Sequence, residues 1–189
     1  MRRRTFVTAG ALALTGLSGC LGDTEYRLSD VAVESSPDAL NIGVTAPVPR
    51  ATIEHPAAIE LSLENATEES VRIRSYGVWP FGVLALAPTP TPTEDTWTTT
   101  LFSPAYEQSD RVDVKRGGAG MSMSGDPITR VLDPGDTVKQ RYELHGEDVT
   151  RAETYFVVPN FEDHASHFAT SNDWQSLDSR IRVAVEAES

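Results

Sequence analysis

The residues able to do chemistry in this chain are few. His164 and His167 stand three apart, preceded by Glu162 and Asp163. On a helical turn that spacing would put two imidazoles on one face, the start of a zinc or copper site. Met121 and Met123 offer thioether sulfur, the soft donor that suits Cu(I). A metal centre also needs a third and a fourth ligand. His55 and His145 are the remaining histidines, and no spacing brings them near. The simpler readings are a solvated acidic loop with two histidines, and a flexible loop with two methionines. No metal and no cofactor are expected. If a metal is bound, the candidate ligands are His164, His167, Met121 and Met123.

Catalytic motifs are scarcer still. No Gly-x-Ser-x-Gly elbow occurs, and no serine is paired with a histidine in a familiar signature. Gly117-Gly118-Ala119-Gly120 lacks the spacing and setting of a dinucleotide loop. Two carboxylates could meet in a cleft, but in so acidic a chain that carries little weight. The expectation is a non-enzymatic binding or interaction module. The first alternative is an extracytoplasmic protein handling copper or zinc; the second is a hydrolase with an unrecognised acidic site. Asn65-Ala66-Thr67 is a glycosylation sequon, and Asn65 is a candidate for modification.

Cys20 is the only cysteine, so it can form no internal disulfide. What precedes it explains it better. Arg2, Arg3 and Arg4 lead into a short apolar run from Phe6 to Leu17, the layout of a secretory signal. The run is shorter than the roughly 20 residues that cross a bilayer, and Gly10, Gly16 and Gly19 interrupt it. Arg3-Arg4-Thr5-Phe6-Val7 resembles the twin-arginine export signal, in which Arg3, Arg4 and Phe6 would be read by the receptor. Leu17-Ser18-Gly19-Cys20 resembles the lipobox of lipoproteins. That resemblance implies lipid on the Cys20 thiol and a membrane-anchored protein on the extracellular face. Residues 1–19 would be the signal peptide and 20–27 a lipidated tether.

Charge points to a compartment. The chain holds 28 acidic and 16 basic residues, a formal charge of −12. Loss of the three leading arginines takes this to −15. Lys115 and Lys139 are the only lysines. Acid excess with arginine in place of lysine resembles the exported lipoproteins of haloarchaea. At about 1 M salt the Debye length is roughly 3 Å, and repulsion between surface carboxylates is largely screened. Nucleic acid needs a basic face, which this composition does not supply. The expected partners are the membrane, through the lipid, and an envelope protein or small ligand.

The elements that must position these residues read as strands. Period-two alternation begins near Leu28 and Val31-Ala32-Val33, and returns at Asn41–Val44. Ala58 to Tyr76 alternates on both sides of Asn65–Glu69 and reads as a hairpin, with glutamates facing arginines across it. Phe81–Leu86 is apolar throughout, a strand buried on both faces. Ala87–Thr100, rich in Thr and Pro, and Lys115–Pro127, rich in Gly, read as two long irregular loops. Pro134-Gly135 marks a turn. Strands follow around Val138–Leu144, Thr154–Val158 and Ile181–Val185, and Phe161, Ala165 and Phe168 could share one helical turn. About eight or nine short strands make residues 28–188 an all-β antiparallel sandwich. The Pro-Gly turn and the strands after it resemble immunoglobulin-like domains of exported microbial proteins, and more distantly the bacterial intracellular proteinase inhibitors. No inhibitory activity follows from a shared fold.

Overall fold

The computed structural model describes residues 25–52, 54–114 and 121–188. Arg3, Arg4, Phe6 and Cys20 lie outside these residues, as does the Gly117–Gly120 stretch.

The expected all-β antiparallel sandwich is what forms. Among the described residues there are fifteen strands rather than eight or nine. The difference lies in pieces of two or three residues, too short for a period to register. The first is β1 (Glu25–Ser35), which starts three residues before the expected domain boundary. β2 (Leu40–Val48), β3 (Arg50–Ala51), β4 (Ala57–Asn65) and β5 (Val71–Ser75) follow. Then come β6 (Leu84–Ala87), β7 (Thr99–Thr100), β8 (Val112–Val114), β9 (Met121–Met123) and β10 (Ile128–Leu132). The rest are β11 (Thr137–Leu144), β12 (Thr154–Pro159), β13 (His167–Ala169), β14 (Gln175–Ser176) and β15 (Arg180–Glu188).

A six-stranded sheet runs β3-β1-β15-β12-β6-β7. A three-stranded sheet, β11-β4-β2, and a four-stranded one, β10-β5-β13-β14, supply the opposing surfaces, and β8 pairs with β9. Alternation puts Ile181, Val183 and Val185 of β15 inside with Leu28 and Tyr155. They share one core with Ile59, Leu61 and Leu63 of β4, Ile73 of β5 and Phe168 of β13. Each such aliphatic or aromatic side chain contributes roughly 1.5–3 kcal/mol by leaving water, and with no internal disulfide this is the main source of stability. The β6 strand is apolar on both faces because both are covered. Leu84 and Leu86 join the main core, while Ala85 and Ala87 pack with Val158 in a small second cluster.

The expected hairpin over 58–76 does not form. β4 pairs with β11, from Thr137↔Glu64 to Leu144↔Ala57. β5 pairs with β10, from Ile128↔Ser75 to Leu132↔Val71. β4 and β5 are therefore successive segments of one strand path, and β10 and β11 run back along it. The two-stranded ribbon bends from one sheet into the next where Asn65–Ser70 meets the Asp133–Asp136 turn. In that turn the Asp136 N–H donates to the Asp133 carbonyl at 3.0 Å, and Gly135 takes φ +76°.

Two further expectations change. Met121–Met123 is not part of an irregular loop but strand β9, with Val112 opposite Met123 and Val114 opposite Met121. Phe161–Phe168 makes no α-helical turn. A single 3-10 turn, Glu162–His164, leads into β13, and Phe168 enters the core from that strand.

Candidate functional site

A cavity of about 270 Å³ opens at one end of the sandwich. Its floor is core: Leu61 of β4, Phe81, Leu84 of β6 and Ile181 of β15. Its mouth is polar, with Ser35 at the end of β1, Thr91, Ser176, Ser179 and Arg180. Each comes from a different device of the fold. Ser35 and Arg180 sit opposite each other where the β1–β15 ladder ends. Pro90 and Thr91 belong to the Thr-Pro stretch, which reaches the cavity as a long loop should if it has a task. Ala165 and Ser166 arrive from the segment between the two histidines.

This wall is fixed by hydrogen bonds. The Ser166 hydroxyl donates to the Pro80 carbonyl at 3.1 Å, and the Leu177 N–H donates to the Ser166 carbonyl at 2.9 Å. The Ser176 hydroxyl donates to Asp178 Oδ1 at 2.6 Å, so the mouth's one carboxylate is already engaged. Arg180 is exposed and, among the described residues, has no ion-pair partner. An apolar floor beneath hydroxyls and one guanidinium suits a small ligand with an apolar body and a polar or anionic end. The volume lies just below the roughly 300 Å³ at which ordinary ligand pockets begin.

The metal candidates go elsewhere. The His164 ring lies edge-on to Tyr76, with centroids 4.7 Å apart, and near Phe161 at 6.2 Å. His167 Nδ1 is 2.9 Å from the Ala165 carbonyl. Met121 and Met123 pack against the core, and Met123 sulfur borders Gly77. Among the described residues no three of His, Cys, Asp and Glu gather as metal ligands would.

Asn65 also takes a different part. Sequence places it on an exposed tip, but it is only 1% exposed, at the bend of the ribbon. Its amide nitrogen donates to the Glu69 carbonyl at 2.7 Å and the Leu132 carbonyl at 2.9 Å. Its amide oxygen accepts from the Thr67 N–H at 2.9 Å and the Thr67 hydroxyl at 2.8 Å. No hydrogen on that nitrogen is left for a sugar to replace while the bend is intact. The sequon spacing here builds an Asx-turn, a local bond between an Asn side chain and the backbone two residues on.

The aromatic residues that flank the Thr-Pro stretch stand apart from the cavity lining. Trp97 is 42% exposed and 6.3 Å from the Tyr155 ring. Burial, helped by the nearby Glu153 carboxylate, pushes the Tyr155 phenol up to about 12. Sequence reasoning missed Ser35, Ser176, Ser179 and Arg180. They converge from both ends of the chain, and no local pattern marks them. The one available signal was the length of the 87–100 stretch.

A family model described as "Domain of unknown function (DUF8130)" matches residues 1–189, and the chain belongs to that family. No curated protein and no solved structure matches it.

Proposed function

We propose that this member of the DUF8130 family is a lipid-anchored protein of the outer membrane face, a non-catalytic module that binds its ligand at the cavity end. The anchor is Cys20, delivered by the twin-arginine-like segment around Arg3, Arg4 and Phe6. The observation that carries the reading is the course of β1. It starts at Glu25, five residues after Cys20, and ends at Ser35 on the cavity mouth. Eleven residues of strand at about 3.3 Å each separate the two by roughly 30 Å. A chain held at Cys20 would therefore turn the cavity away from the bilayer, toward envelope proteins and small solutes. One acyl chain gives only marginal binding, so a two-chain lipid is required for a lasting anchor.

Replacement of Cys20 by serine tests the anchor. The wild-type protein should partition into the detergent phase and C20S into the aqueous phase, with the domain equally folded. Detergent partitioning that survives C20S would end the lipid reading. For the binding end, Ala165→Trp fills the cavity. A ligand recovered from the envelope by the folded wild type, and equally by A165W, would place recognition elsewhere.

A further inference from the structure

The outer face of the four-stranded sheet carries a group of arginines with unusual partners. Arg72 and Arg74 alternate outward on β5 while Val71, Ile73 and Ser75 point into the core. The Arg74 guanidinium lies 4.3 Å from the centre of the Trp174 ring, and that of Arg72 lies 5.1 Å from it. At the neighbouring edge Arg130 of β10, opposite the core residue Ile73 and so outside this face, stands 5.2 Å from the Trp79 ring. Residues directly opposite in an antiparallel pair share a face. Thr129 and His167 therefore flank Arg74, and Val131 and Ala169 flank Arg72.

What is missing around these cations is carboxylate. Several basic residues elsewhere are matched: Arg182 with Asp30 and Glu34, Arg50 with Glu188, Lys139 with Glu60, Arg141 with Glu143. Among the described residues Arg72, Arg74 and Arg130 have no ion pair, in a chain with 28 acidic residues. Arg72 donates to the Ser171 carbonyl. Arg74 donates no hydrogen bond to a described residue, and its buried Nε has no acceptor. A tryptophan face holds a guanidinium in place without neutralising it. The arginines are thus positioned while their charge remains available.

We infer that this face binds an anionic polysaccharide. The chemistry of the patch asks for two things at once. Planar N–H forks match carboxylate or sulfate groups, and indole edges and faces match the C–H faces of sugar rings. A uronate or sulfated glycan brings both in a repeat. A bilayer would need a broader apolar surface, and Trp97 and Val131 are the only large hydrophobic side chains exposed among the described residues. Two copies meeting symmetrically would set this patch against itself, arginine on arginine. The inference concerns a different face from the cavity and stands whether or not the cavity is filled.

The test is calorimetric titration of the full chain, kept in detergent, with polygalacturonate and with dextran sulfate. Unmodified dextran and polyglutamate are the controls. At least one anionic glycan should bind, dextran should not, and polyglutamate should bind at least tenfold more weakly. Arg74→Gln should weaken glycan binding at least tenfold. Arg74→Lys keeps the charge but loses the fork, and should weaken it at least threefold with an unchanged unfolding midpoint. Binding of neither glycan, equal binding of polyglutamate, or full binding by R74Q would overturn the inference. So would Arg74-dependent binding to anionic phospholipid vesicles, or self-association of the free protein that R74Q abolishes.

Discussion

Asn65→Ala should be among the most damaging single changes in the domain, although it removes a polar residue from what sequence presents as a loop. The wild-type side chain makes four hydrogen bonds of 2.7–2.9 Å at the bend of the ribbon. Alanine removes all four. At about 1 kcal/mol net for each bond, the direct loss is near 4 kcal/mol, and water can recover part of it at Glu69 and Thr67. It cannot easily recover the bond to the Leu132 carbonyl, whose residue is 2% exposed. A loss of about 3–5 kcal/mol is expected, a large share of the 5–15 kcal/mol typical of a domain. Denaturant unfolding reads it as a lowered midpoint at constant slope. Asn65→Asp sharpens the point, because it keeps the acceptor and turns the donor into an oxygen facing two carbonyls. That carboxyl would be held above the roughly 3.9 of a free aspartate. The folded state would then keep a proton that the unfolded state has lost. N65D should be least impaired below that value, and its deficit should grow as pH rises through the folded pKa. An N65A protein within about 1 kcal/mol of wild type would refute the assignment of Asn65 as the fastener of the bend. So would a glycan found on Asn65 of the folded protein.

Other predictions follow from buried groups and close approaches. Burial holds the phenols of Tyr106 and Tyr142 protonated well above the ordinary 10.0, and Tyr155 reaches about 12. Each is more protonated folded than unfolded in that range, so stability should fall as pH rises above about 10. Ultraviolet titration should show these phenols ionising together with loss of near-ultraviolet circular dichroism, and full ionisation of a folded protein would contradict it. Gly77→Ala should cost at least ~2 kcal/mol. The residue takes φ +73°, and an added methyl carbon would meet Val112 Cγ2 at 2.8 Å and Met123 Sδ at 2.9 Å. Gly135→Ala meets nothing within 4 Å and should cost only the backbone term of roughly 1–2 kcal/mol, so thermal melts of the two variants should separate.

Alternation of side chains located most of the long strands, because burial of one face is a local demand that each segment answers with its own residues. Ile181-x-Val183-x-Val185 faces the core for that reason. Pairing is not a local demand. The stretch 57–75 has the alternation and the polar interruption of a hairpin, yet its partners come from 128–144. Whether a chain reverses upon itself or bends along a distant ribbon depends on which carbonyls Asn65 can reach, and Leu132 is 67 residues away. The same holds for the surface sites. Nothing around Trp174 announces that Arg72 and Arg74, about a hundred residues earlier, lie against its ring. The histidine pair had a suggestive spacing, but its meaning required an α-helical turn, and the segment runs instead from a 3-10 turn at His164 into a strand at His167.

The pairing of β1 with β15 has a mechanical consequence. Nine residue pairs join the two strands, from Glu25↔Glu188 to Ser35↔Arg180. A pull entering at Glu25 and resisted at the cavity mouth runs along the axis of β1. Such a load shears the ladder, straining its hydrogen bonds together, whereas a pull across the strand would peel them one after another. A ligand gripped at the mouth would thus tug against the tether along the direction in which this domain yields least.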